Sequence, residues 1–107
     1  MQRGEIRWYT FAPPNKRRPV LLLSRSHSLA VLNELIVVPA TRTIRGIETE
    51  LVLTPADGLS VACALNFDHI ALAQRARIGA VASILSDDRW PEAERALLIA
   101  CGFRIAA

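Results

Sequence analysis

The hydrophobic period of this chain changes once, near its C-terminal end, and that change limits the folds open to it. Up to residue 85 the apolar residues alternate or gather in short runs of strand type. From residue 87 to 101, Trp90, Ala93, Ala96, Leu97 and Ala100 fall at helical spacing. Residues 5–11 place Ile6, Trp8 and Thr10 on one face of a strand and Arg7, Tyr9 and Phe11 on the other. Residues 18–25 open with Arg18-Pro19 and continue as Val20-Leu21-Leu22-Leu23, a run that needs burial on both faces. Residues 35–40 form a third strand, where Pro39 argues for an edge or a bulge. Residues 50–53 form a fourth, stopped by Thr54-Pro55 and followed by the turn Ala56-Asp57-Gly58. Further strands are expected over 60–64, 66–72 and 78–85. Residues 26–34 suit either a short amphipathic helical turn or an anchored loop. Ser86, Asp87 and Asp88 supply helix-start chemistry, Pro91 is tolerated only in a first turn, and Gly102 suits a stop. The economical solution is mainly β: a small, partly open barrel of six or seven strands with a C-terminal helix against it.

At 107 residues, 51% of them hydrophobic, the chain can bury one core and is expected to form a single domain over 1–107. No apolar run approaches the ~20 residues that span a bilayer, and residues 1–5 carry no apolar signal stretch, so a cytoplasmic protein without a membrane partner is expected. Cys63 and Cys101 sit in apolar company and are read as buried free thiols. His27 and His69 lie far apart, and no His, Cys and carboxylate set has ligand spacing, so neither metal nor cofactor is expected. Charge is unevenly spread. Through Gly46 there are eight Lys and Arg against two carboxylates; from Ile47 onward there are five Arg against eight carboxylates. A basic half suggests a polyanion on one side. Pro19 holds Arg18 extended at the mouth of the apolar strand, so this cation meets an anion without first losing much freedom.

Several segments then occur in a telling order and spacing: Arg3-Gly4-Glu5-Ile6-Arg7-Trp8, Arg18-Pro19-Val20-Leu21-Leu22-Leu23-Ser24, Val37-Val38-Pro39-Ala40-Thr41, Phe67-Asp68-His69-Ile70, Ala96-Leu97 and Cys101-Gly102-Phe103. Over nearly its whole length the chain resembles the MazF/PemK family of toxin ribonucleases. The resemblance implies an SH3-like barrel related to the gyrase poison CcdB, working as a homodimer. It implies metal-independent, sequence-selective cleavage of single-stranded RNA to 2′,3′-cyclic phosphate and 5′-hydroxyl ends. It also implies a small acidic antitoxin whose disordered tail occludes the site.

Such cleavage needs a 2′-OH deprotonated, a phosphorane neutralised and a 5′-oxygen protonated. Three catalytic candidates follow. Arg18 can grip two phosphate oxygens as a fork, although a guanidinium is a poor acid or base at neutral pH. Thr41, just past a strand end, can donate to a non-bridging oxygen. In one branch of the family the aspartate matching Asp68 serves as base, and an arginine stands at the position of Asn66; the neutral Asn66 here cannot be the acid, which shifts weight to Arg18 and Thr41 and leaves Asp68 to position substrate. Strand alternation would put Asn66 and Asp68 on one face, with Asn66 available to RNA, and turn His69 toward a core or interface. Lys16 and Arg17, in a loop shorter and more basic than is usual in the family, and Arg42 and Arg45, in the next basic loop, are candidate phosphate contacts. Tyr9 is the candidate for stacking on a base, while Trp90 and Phe103 read as core or dimer contacts. Single-stranded targets, whether messenger RNA or loops of tRNA or rRNA, are favoured over duplex because unstacked bases expose their edges. Two alternatives remain open: a non-catalytic toxin of the gyrase-poison type, and a nucleic-acid-binding barrel that does not cleave.

Overall fold

The structure is a computed structural model and describes residues 1–14 and 16–104. Seven strands are present: β1 (Glu5–Thr10), β2 (Arg17–Leu22), β3 (Glu34–Thr41), β4 (Glu50–Leu53), β5 (Cys63–Asn66), β6 (Ala71–Gln74) and β7 (Val81–Ile84). A short helix α1 (Ser26–Val31) fills the ambiguous segment, and α2 (Trp90–Ala100) forms the C-terminal helix, with Pro91 in its first turn. The strands pair in the order β4-β5-β3-β2-β1-β7, with β6 also on β3, and every pairing is antiparallel. This is the expected curled, mainly β half-barrel with a helix against it.

Val20, Leu21 and Leu22 are all 0% exposed because both faces of β2 are covered. On one face Leu21 joins Ile6, Val38, Leu51, Leu65 and Phe67, and α2 closes this core through Ala93 and Ala96. Those two small side chains let the helix backbone approach the sheet. On the other face Val20 and Leu22 meet Tyr9, Leu29, Leu35, Val37 and Ala73. α1 is thus held by Leu29, its apolar anchor, with Ser28 buried beside it.

Pro39 lies inside a central strand, not at an edge. Ile36 turns its carbonyl toward the β2 side, where it accepts from Leu23 N–H. Pro39, three residues on, therefore faces the opposite side. There β3 changes partner, from β6 (last pair Val37↔Ala71) to β5 (first pair Ala40↔Leu65). The missing N–H falls in that gap, where no ladder bond waits for it.

Two expectations about strands need correction. Residues 66–72 are not one strand: β5 ends at Asn66, a 3-10 turn occupies Phe67–His69, and β6 starts at Ala71. The turn is nucleated locally, since Asn66 Oδ1 accepts the Asp68 N–H at 2.9 Å. The strand expected over 60–64 starts only at Cys63, and the last strand is Val81–Ile84. Cys63 is buried, but Cys101 is exposed at the end of α2, so the second thiol is not a core residue; both are free.

Candidate nucleic-acid interface

Arg18, at the start of β2, and Thr41, at the end of β3, both lie two residues beyond the last β2–β3 pair, Val20↔Pro39. The two neighbouring antiparallel strands therefore bring residues 23 positions apart in sequence to the same end of the sheet. Both line a cleft of about 750 Å3 at the open end of the sheet.

One wall of the cleft is cationic, with Lys16, Arg17, Arg18 and Arg42. The facing wall is small or apolar, built by Leu59, Val61, Val81 and Ala82, with Trp8 and Cys63 also in the lining. No carboxylate and no histidine lines it among the described residues. Four cations with no opposing charge create a strong local attraction for anions, which salt will screen. Burial pushes the Cys63 thiol up from its usual range, and Asp57 adds to the shift, so Cys63 stands in the wall as a neutral thiol.

Thr41 is oriented for donation. Its Oγ1 accepts the Thr43 N–H at 3.2 Å, which leaves the hydroxyl proton free to point at a ligand oxygen. Arg18 is half-buried and makes no ion pair among the described residues. A guanidinium confined beside a hydroxyl, with no partner of its own, can receive a phosphate.

The other sequence candidates divide. Lys16, Arg17 and Arg42 are exposed and stand in the cleft. Arg45 does not line it. Its guanidinium lies 3.8 Å from Glu50, whose carboxylate also accepts the backbone N–H groups of Arg45 and Gly46. Asp68 is also outside the cleft: its carboxylate accepts the Thr49 hydroxyl at 2.6 Å. Asn66, expected to face RNA, is 5% exposed and spends its side-chain oxygen on the turn. The alternation linking Asn66 to Asp68 fails because the strand ends between them. His69 is exposed in the same turn, and His27 is exposed on α1.

Tyr9 is not a stacking platform. It is 5% exposed in the second core, its ring meets Phe11 edge-on at 4.8 Å, and its hydroxyl accepts the Gln74 N–H at 3.1 Å. Alternation did place Tyr9 opposite to Trp8, but the face it occupies is covered. The aromatic at the cleft is Trp8; Tyr9 stands out in the sequence because alternation sets it beside Arg7. At Gly79 the chain passes Trp8 closely: a β-carbon there would stand 3.0 Å from the Trp8 carbonyl oxygen, tighter than ordinary packing.

Arg89 shows what a partnered arginine looks like in the same molecule. It binds Asp57 at 2.7 Å, Glu92 at 2.8 Å and the Val52 carbonyl at 2.8 Å. The Glu92 and Asp57 contacts raise its pKa further. The Thr54 backbone N–H, aided by Arg89, holds the Asp57 carboxyl below the usual carboxylate value despite its burial. This knot ties the turn before Gly58, and hence one flank of the cleft wall, to the start of α2.

With this geometry in hand, comparison with known proteins is direct. Residues 2–101 match the family of PemK-like, MazF-like toxins of type II toxin-antitoxin systems. The chain is 36% identical over 103 residues to the probable endoribonuclease MazF2 of Mycobacterium tuberculosis, covering 95% of this chain and 99% of that one. It is 41% identical over 69 residues to the probable endoribonuclease MazF5 of the same organism, over 64% of this chain and 62% of the relative. Among solved structures, the Mycobacterium tuberculosis toxin MazF-mt6 superposes with a TM-score of 0.86 at 25% identity, covering 94% of this chain and 99% of that one. A mycobacterial endoribonuclease solved with its cognate antitoxin shares the fold, with a TM-score of 0.85 at 21% identity over 99% of both chains. The chain belongs to the family of PemK-like, MazF-like toxins of type II toxin-antitoxin systems.

Proposed function

We propose that this protein is an endoribonuclease toxin that cleaves single-stranded RNA in the cleft between β2, β3 and the 58–63 wall. The observation that carries the reading is the convergence of Arg18 and Thr41 in a cleft with Lys16, Arg17 and Arg42 and no lining carboxylate. Family membership supports the same activity.

The 2′-hydroxyl attacks the adjacent phosphorus, and the bond from phosphorus to the 5′-oxygen breaks, giving a 2′,3′-cyclic phosphate and a 5′-hydroxyl. Arg18 spans two non-bridging oxygens and neutralises charge as it builds. Thr41 donates its free hydroxyl proton to one of them. Lys16 and Arg42 hold flanking phosphates, and each such contact steepens the salt dependence of binding. The nucleophile is internal to the substrate, so no metal is required to generate it. No carboxylate or imidazole stands in the cleft of the described chain to take the 2′-proton. The cleft residues named above act on the phosphate by orientation and charge.

Activity of this kind calls for a partner that restrains it. A cognate antitoxin with an acidic segment fits the cationic wall. A homodimer is supported by an uncovered apolar strip: Ile36 and Leu72 are 42% and 59% exposed and stand directly opposite each other across β3 and β6.

The test is cleavage of a mixed-sequence single-stranded RNA in EDTA. Native protein is expected to produce cyclic phosphate and 5′-hydroxyl ends, and Arg18→Ala to reduce kcat by roughly a hundredfold or more, the scale of removing one charge-stabilising donor. Undiminished cleavage by the folded Arg18→Ala protein would remove Arg18 from the chemistry. Inhibition of DNA supercoiling without RNA damage would favour a gyrase-poison role instead.

A further inference from the structure

We propose that Arg17, whose guanidinium sits over the Trp8 ring, is a stacking platform for a nucleobase next to the scissile phosphate; this deepens the ribonuclease reading above and rests on it. The guanidinium centre of Arg17 lies 4.4 Å over the Trp8 ring. The pairing puts them there: Thr10 faces Arg17 and Trp8 faces Pro19, so Arg17 and Trp8 are diagonal neighbours on one face. Arg18 stands on the other face of β2, opposite Tyr9. Two consecutive arginines at one cleft mouth are therefore aimed differently. Arg18 lines the cleft with Thr41 and takes the phosphate, while Arg17 sits over the cleft aromatic Trp8.

The platform is fixed in advance. The Trp8 backbone N–H donates to the Ala80 carbonyl at 3.0 Å, and the Trp8 backbone carbonyl accepts the Gly79 N–H at 2.8 Å, which fixes the main chain that carries the ring. The β1–β7 register shifts between Ile6 and Arg7, an irregularity that re-aims the strand immediately before Trp8. Arg17 forms no ion pair among the described residues and is exposed, so its guanidinium, seated over the indole, is accessible to a ligand. Guanidinium planes stack on unpaired bases as aromatic rings do. Val61 and Val81, 48% and 45% exposed, supply apolar surface along the same cleft. Every base has a π-face, so this position accepts any base and contributes affinity more than sequence choice.

Arg17→Lys is the decisive variant. Lysine keeps the charge and can lie on the indole, but it has no plane on which a base can stack. Steady-state cleavage of a fluorogenic single-stranded RNA is expected to show KM raised roughly tenfold by Arg17→Lys, with the loss in KM and not in kcat, and with the slope of log KM against log salt unchanged. Trp8→Phe, which retains an aromatic support, raises KM less than Trp8→Leu. An abasic nucleotide scanned through the positions flanking the cleavage site abolishes the Arg17→Lys penalty at one of them. Wild-type KM in Arg17→Lys overturns the inference, as does a penalty that stays the same on every abasic substrate, since either makes Arg17 a simple phosphate contact. Absence of cleavage by the folded wild-type protein would instead strike the ribonuclease reading itself.

Discussion

Arg18 and Arg89 are the same residue type at about the same degree of burial, yet their surroundings differ completely. Arg89 is satisfied on all sides by Asp57, Glu92 and the Val52 carbonyl. Arg18 has no ion-pair partner among the described residues and faces a cleft shared with three other cations. A partnered arginine holds two segments together; one left unpaired in a concave basic site is kept for a ligand. The cost of crowding Lys16, Arg17, Arg18 and Arg42 is offset only when an anion arrives.

The contrast can be broken by removing each arginine in turn. Arg89→Met should lower stability by about 2 kcal/mol in denaturant titration, because it leaves a partly buried carboxylate without its charge-assisted partner. Arg18→Met should stay within about 0.5 kcal/mol of the native protein in the same titration, as surface substitutions away from structural contacts do. Equal losses of stability in the two variants would erase the distinction. Within the cleft, Thr41→Val should reduce kcat by roughly tenfold, the scale of one hydrogen bond to a charged oxygen; single-turnover kinetics at saturating RNA separate this from weaker binding.

Acid sharpens the comparison from the other side. The Asp57 carboxyl is held below its ordinary value in the folded protein. The folded state thus binds its proton less readily than the unfolded state, so the stability Asp57 contributes is complete above the ordinary carboxylate value and is lost as pH falls through the lowered one. Denaturation measured from neutral pH downward should show this loss in the native protein and a flatter profile in Asp57→Asn. The smallest expected effect on activity belongs to Asp68→Asn. It exchanges the acceptor for the Thr49 hydroxyl at a cost of about 1 kcal/mol and leaves kcat in place; a collapse of kcat with normal stability would show that Asp68 reaches the RNA after all.

Much of the fold was legible because it depends on local patterns. Period-2 alternation and the run after Pro19 marked the strands, and helical spacing around Ala93 and Ala96 marked α2. The reading failed where short-range hydrogen bonds overrode alternation. Asn66 captures the Asp68 N–H and turns the chain into a 3-10 bend, so the inferred shared face of Asn66 and Asp68 does not exist. Pro39 suggests an edge or a bulge from sequence, whereas its tolerance inside β3 depends on a gap between β5 and β6 that belongs to pairing partners, not to its neighbours in sequence.

By itself, then, the sequence determined which residues carry the charge and which segments bury: the basic first half, the extended Arg18 before its apolar strand, and the single helix at the end. These follow from composition and period, which are local. Only the tertiary structure decided which cations meet. Strand order brought Arg18 and Thr41 to one end of the sheet, and register drew Trp8 rather than Tyr9 to the cleft and kept Asp68 with Thr49. Register is fixed by side chains packing across strands far apart in sequence, and a displacement of one residue reverses every face.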